Sequence, residues 1–116
     1  MKLPACTLAL ALTLLSPTAF SAGAIAVDDE VGDKEPGYGL VYGYGSRDEA
    51  AVAALAECKK SNEHCKVVAR FDKCGAYAAS LKYYGVGWGV SAAEAQTMAM
   101  DNCGHSNCRI VVVDCE

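Results

Sequence analysis

The sequence predicts an α+β domain with an internal pseudo-twofold: a duplicated β-β-α-β unit, a mainly antiparallel sheet, two helices packed on it and disulfide support. Three observations predict it. The stretch SRDEAAVAALAEC from Ser46 to Cys58 is nearly repeated as SAAEAQTMAMDNC from Ser91 to Cys103. The likeness continues on both sides, with GAIA at Gly23 to Ala26 matched by GAYA at Gly75 to Ala78, and GYGS matched by GWGVS. Each unit then closes on a β-branched run bounded by cysteines, CKVVARFDKC and CRIVVVDC. A repeat constrains topology twice over, so it is read before anything else.

In chain order, residues 1–21 come first. One early Lys, an apolar run from about Leu8 to Leu15, Pro17 and small residues at Ala19 and Ser21 make an export signal cleaved after residue 21 or 22. The run is shorter than the roughly 20 apolar residues a membrane-spanning helix needs, so no transmembrane segment is expected in the mature chain. Residues 22–116 then form one domain of about 95 residues, in repeats 23–74 and 75–115. The protein is expected to be periplasmic or secreted.

Within each repeat the helix is the clearest element. Ser followed three positions later by Glu is a capping box, so Ser46 with Glu49 and Ser91 with Glu94 start helices that run to about Lys59 and Cys103. Both are rich in Ala, which lets a helix lie close against a sheet. Strands are expected at Lys66 to Phe71 and Arg109 to Val113. Before each helix, large and small residues alternate. Tyr38, Leu40, Tyr42 and Tyr44 point one way and Gly39, Val41 and Gly43 the other, as do Tyr84, Val86 and Trp88 against Gly85, Gly87 and Gly89. The aromatics are expected in the core against the Ala faces of the helices; the competing role is a platform for a partner.

Removing the signal takes Cys6 and leaves Cys58, Cys65, Cys74, Cys103, Cys108 and Cys115, an even number in a short exported chain. Disulfides fit both the compartment and the size. Symmetry selects among the connectivities: Cys58–Cys65 and Cys103–Cys108 tie each helix end to the next strand, and Cys74–Cys115 is left to bridge the units. Zinc held by these cysteines with His64 and His105 is the rival reading. The spacings of six and four intervening residues are wider or less regular than zinc motifs use, and export favours bridging.

GAIA at the mature start, the GYG and GWG signals, the Ser-x-x-Glu-Ala helices and the paired Cys-to-Cys-Val-Val segments together resemble a family of small exported bacterial proteins filed as a domain of unknown function. The resemblance covers essentially the whole mature chain. It implies export, disulfides and the duplicated fold, and it implies no catalytic site. The acidic segment between GAIA and GYG is longer than the family pattern.

An enzyme is not expected, since the cysteines are committed and His64 and His105 sit in equivalent short polar loops with no nucleophile beside them. Neither is a cofactor or metal. The Gly-x-Gly stretches lack the Lys-Ser/Thr of a phosphate-binding loop. After signal removal nine Lys and Arg face fourteen Asp and Glu, and the segment DDEVGDKE holds five of the acids, Asp28, Asp29, Glu30, Asp33 and Glu35. Nucleic acid is therefore a poor partner, and the spacing is not that of a calcium loop. Those five acids are the expected partner-binding surface, facing a basic protein. The function expected is an exported, non-enzymatic protein-binding module, such as a periplasmic immunity or inhibitor protein against a delivered toxin. The alternative is a secreted effector or cell-envelope component, with a small hydrolase the weakest fit. Non-reducing peptide mapping of the exported protein should return Cys58–Cys65, Cys103–Cys108 and Cys74–Cys115, with stoichiometric zinc or any free thiol among the six as the contrary result.

Overall fold

A computed structural model describes residues 21–116; the expected export signal lies outside them apart from Ser21. The elements run β1 (Ala22–Asp28), β2 (Gly37–Tyr44), α1 (Arg47–Lys59), β3 (Lys66–Phe71), β4 (Cys74–Ser80), β5 (Tyr83–Gly89), α2 (Ala92–Cys103) and β6 (Arg109–Cys115). This is the duplicated β-β-α-β order of an α+β fold. The six strands divide into two three-stranded antiparallel sheets, β2-β1-β3 and β5-β4-β6. In each unit the first strand takes the other two as its neighbours, so each unit completes its own sheet.

The two sheets stack face to face with a helix on each outer side. Ala22, Ala24 and Ala26 of β1 pack with Ala50, Ala51, Ala54 and Cys58 of α1. The opposite face of β1, through Ile25 and Val27, meets Phe71, Tyr77, Ala79 and Val86 in the layer between the sheets. Ala76 and Ala78 of β4 turn outward onto Ala95, Ala99 and Cys103 of α2. With one face on a helix and the other on a sheet, β1 and β4 are buried along all seven of their residues. Neither could carry the polar alternation of a half-solvated strand.

This layering corrects the expected place of the aromatics. The helices rest on glycines, not on rings: a Cβ at Gly39 would meet the Cys58 N and Ala54 O atoms, and one at Gly85 would collide with Ala99 O and Cys103 N. The large residues of the same strands face the other sheet, where the Tyr77 ring stacks on Tyr38 at 4.5 Å and on Tyr84 at 6.2 Å. Its buried hydroxyl donates to Pro36 O at 2.6 Å. Farther along, Tyr42 and Trp88 emerge into solvent, and so does Tyr44, which does not share the face of Tyr38, Leu40 and Tyr42 as expected: it pairs with Ala22 and lies on the helix-side face of the sheet.

Both helices start as the capping pattern requires. Ser46 Oγ accepts from Glu49 N–H at 3.1 Å and Ser91 Oγ from Glu94 N–H at 3.2 Å. Glu94 reaches back to Val90 N–H, 3.0 Å away and one residue before the cap. Gly104, at φ 73°, ends α2 and donates to Met100 O.

The structure joins Cys58 to Cys65, Cys103 to Cys108 and Cys74 to Cys115. The last bridge lies elsewhere than expected. Cys74 opens β4 and pairs across the ladder with Cys115, the last residue of β6, so the bond closes the second sheet on itself and joins no two units. The repeat boundary accordingly falls before Cys74, and β6 runs to Cys115, beyond the expected end at Val113. The repeats also differ by a residue. Between matched ladder pairs β2 spans Val41 to Tyr44 where β5 spans Gly87 to Gly89; the surplus makes a bulge at Gly43, φ 86°. Replacing Gly85 by Ala should cost about 1–3 kcal/mol or more in urea unfolding, because every atom it meets is helix backbone that cannot step aside. Val52→Ala, on the exposed side of α1, should stay within about 0.5 kcal/mol.

Candidate functional site

The sequence singles out three places: the acidic segment, the two histidine loops and the aromatic strand faces. The segment between β1 and β2 is folded inward more than its charge suggests. Asp28 is 3% exposed. Its Oδ1 accepts from Glu30 N–H at 2.9 Å and its Oδ2 from His64 N–H at 3.1 Å. These two backbone donors, His64 first, hold its carboxyl below the usual carboxylate range.

The other acids mostly meet cations of this chain. Asp29 lies 3.4 Å from Lys66 Nζ, Asp33 3.7 Å from Lys82 Nζ, and Glu35 takes a two-pronged contact from Arg109 at 2.8 and 3.2 Å. Lys34 O accepts from Lys82 N–H at 2.9 Å, and Pro36 O from the Tyr77 hydroxyl. Lys82, Arg109 and Tyr77 all belong to the second unit, so the segment clasps the two units together. Glu30, exposed, and Asp33, whose side chain is 92% exposed, are the carboxylates left facing outward. Sequence reasoning missed the clasp's other half, although the second unit's hairpin is basic where the first unit's is acidic, with Lys82 at its tip and Arg109 opening β6.

The histidines occupy equivalent loops in different settings. His64 offers its backbone to Asp28, whereas the His105 ring stacks on Tyr83 with centroids 3.6 Å apart. Among the described residues no group of three His, Cys, Asp or Glu side chains is placed to hold a metal ion.

The aromatic strand ends converge. Phe71 lies between Gly23 and Gly75, where a Cβ on either glycine would collide with its ring. Gly75 pairs with Trp88, and Ala22, next to Gly23, pairs with Tyr44. The ends of β2 and β5 therefore share one pole of the sandwich, and Tyr42, Tyr44 and Trp88 are exposed there at 47%, 37% and 43%. Gly43 N–H donates to the Glu116 carboxylate at 2.6 Å, fastening the C-terminal residue to the bulge at the same pole. The acidic clasp is at the other.

A model of a family described as a domain of unknown function, DUF4189, matches residues 22–115. No curated protein and no solved structure matches the chain. The described residues include no helix long and apolar enough to cross a membrane.

The Asp28 geometry sets an acid limit on stability. A carboxyl whose folded value is depressed contributes fully above the unfolded value, about 3.9, and loses that contribution as pH falls through the folded value. The urea midpoint should therefore drop below about pH 4. Asp28→Asn should be less stable at pH 7 and show a smaller acid drop; an unchanged acid limb would show that Asp28 does not carry it.

Proposed function

We propose that this chain, which belongs to the family of domains of unknown function DUF4189, is a rigid exported protein-binding module of the periplasmic inhibitor or immunity type. The observation that carries the reading is the exposure of Tyr42, Tyr44 and Trp88 at one pole of the domain, where Tyr38, Phe71, Tyr77 and Tyr84 are packed between the sheets and Tyr83 is exposed at the other pole. Tyr and Trp supply large contact area at small entropic cost, which makes them the usual anchors of protein interfaces. Val90, 74% exposed, widens the apolar surface beside Trp88.

Three disulfides in so short a chain suit an oxidising compartment outside the cytoplasm and a surface that changes little on binding. The acidic segment takes a narrower part than its composition suggests. Asp28, Asp29 and Glu35 are engaged within the fold, while Glu30 and Asp33 add a negative field that speeds encounter with a basic partner and fades with salt. The aromatic pole then makes the contact that holds.

The test uses the mature protein as bait against a periplasmic extract, followed by binding measurements with the purified captured partner. Tyr44→Ala/Trp88→Ala should weaken affinity about 100-fold or more with unchanged thermal unfolding. Glu30→Gln/Asp33→Asn should lower only the association rate and flatten its salt dependence. Retained affinity in the aromatic double variant, or no protein held by micromolar bait, would overturn the proposal.

A further inference from the structure

The duplication allows one unit to be read as a template for the other. Asp28 and Ser80 hold equivalent positions, each one residue past a matched ladder pair, Val27–Tyr38 in β1 and Ala79–Tyr84 in β4. In the first unit a carboxylate fills the place and takes the N–H groups of Glu30 and His64. In the second unit the side chain is a hydroxyl, 7% exposed. The Ser80 hydroxyl contacts Cys108 Sγ at 3.8 Å. That sulfur is bonded to Cys103, carries no proton, and can offer only a long, weak acceptor.

Half of the donor side is kept: the Lys82 N–H, counterpart of the Glu30 N–H, is given to Lys34 O at 2.9 Å, and the counterpart of His64 remains. His64 directly precedes Cys65, and Asn107 directly precedes Cys108. Among the described residues the Asn107 N–H donates to no acceptor. Ser80 and Asn107 line a cavity of about 320 Å³ together with Leu81, Tyr83, His105 and Arg109; Glu35 closes one side. The stacked Tyr83 and His105 rings give the cavity a flat wall and Leu81, 67% exposed, an apolar lip. The buried Ser80 hydroxyl thus has only a weak sulfur partner, and the exposed Asn107 N–H has no acceptor among the described residues, so both are free to donate to a group that enters the cavity.

We propose that this cavity binds a small carboxylate carrying an aromatic or apolar group, with the ligand carboxylate standing where Asp28 stands in the first unit. Its oxygens accept from the Ser80 hydroxyl and the Asn107 N–H, and the ring or alkyl group lies on Tyr83 and Leu81. Arg109 adds positive charge, largely offset by its pairing with Glu35 at 2.8 and 3.2 Å, so affinity for a minimal probe is on the order of millimolar. The cavity is at the opposite pole from Tyr44 and Trp88, and the inference stands independently of the protein-binding proposal.

The experiment is a ¹H–¹⁵N NMR titration of the mature protein at pH 7 with benzoate, and in parallel with benzamide and acetate. Benzoate should shift the Ser80, Asn107 and His105 amide signals along saturable curves. Benzamide, which lacks the charge, and acetate, which lacks the ring, should each bind at least tenfold more weakly. Ser80→Asp places the first unit's own carboxylate in the site and should abolish the benzoate shifts. Ser80→Ala, which perturbs folding least, should weaken binding at least fivefold. Still signals with benzoate, equal response to benzoate and benzamide, or full binding by Ser80→Ala would each overturn the assignment.

Discussion

Everything in this fold follows from the burial of β1 and β4 on both faces. A chain this small encloses little volume, yet it stacks four layers, and the two central strands must touch a helix on one side and a sheet on the other. That is possible only because their helix-facing positions are Ala and the neighbouring strands present Gly39, Gly85 and Gly87 to the helix backbones. The close approach leaves no room for large side chains under the helices. The volume that holds the domain together is concentrated instead in one middle layer, around Ile25, Phe71 and Tyr77.

Because the middle layer is shared, neither unit buries its inner face alone, and the duplication works as a dimer made within one chain. Its departures from symmetry are where its chemistry lies. The first unit has the long acidic connection, the bulge at Gly43 and the filled carboxylate at Asp28; the second has a tight basic hairpin, a third disulfide and an open place at Ser80. Several of these differences interlock. Glu35 meets Arg109, Tyr77 replaces Ile25 and reaches Pro36, and the Gly43 N–H donates to the side-chain carboxylate of Glu116. The units have diverged partly by becoming complementary to one another.

Much of this was legible in the residues. Ser46 with Glu49 and Ser91 with Glu94 announce helix starts because capping is local chemistry, and the cysteine pairing follows from the repeat. The placement of Cys74 was not legible in the same way. It sits at the junction of two similar segments, and only the ladder partner Cys115 assigns it to the second sheet. The aromatic faces misled for a related reason: strand alternation says nothing of whether a helix or a sheet covers a face, and the bulge at Gly43 turns Tyr44 away from the face of Tyr42. Composition likewise flagged the acidic segment as a free surface, since a count of charges does not reveal that Lys66, Lys82 and Arg109 come from distant parts of the chain to meet it. Ser80 was silent altogether, since a lone serine carries no signal until its counterpart Asp28 is known.

The disulfides join positions 7, 5 and 41 residues apart, and none crosses between the units. A chain that emerges N-terminus first can therefore oxidise in order of appearance. Cys58 can meet Cys65 while the second half is still to come, although the inner face of the first sheet stays uncovered until the second packs on it. Cys74 alone must stay reduced as Cys103 and Cys108 pass, and it finds its partner only at the penultimate residue. Loss of β6 would thus leave the Cys74 thiol unpaired beside an uncovered middle layer, so the bond that closes the second sheet also reports that its last strand is in place.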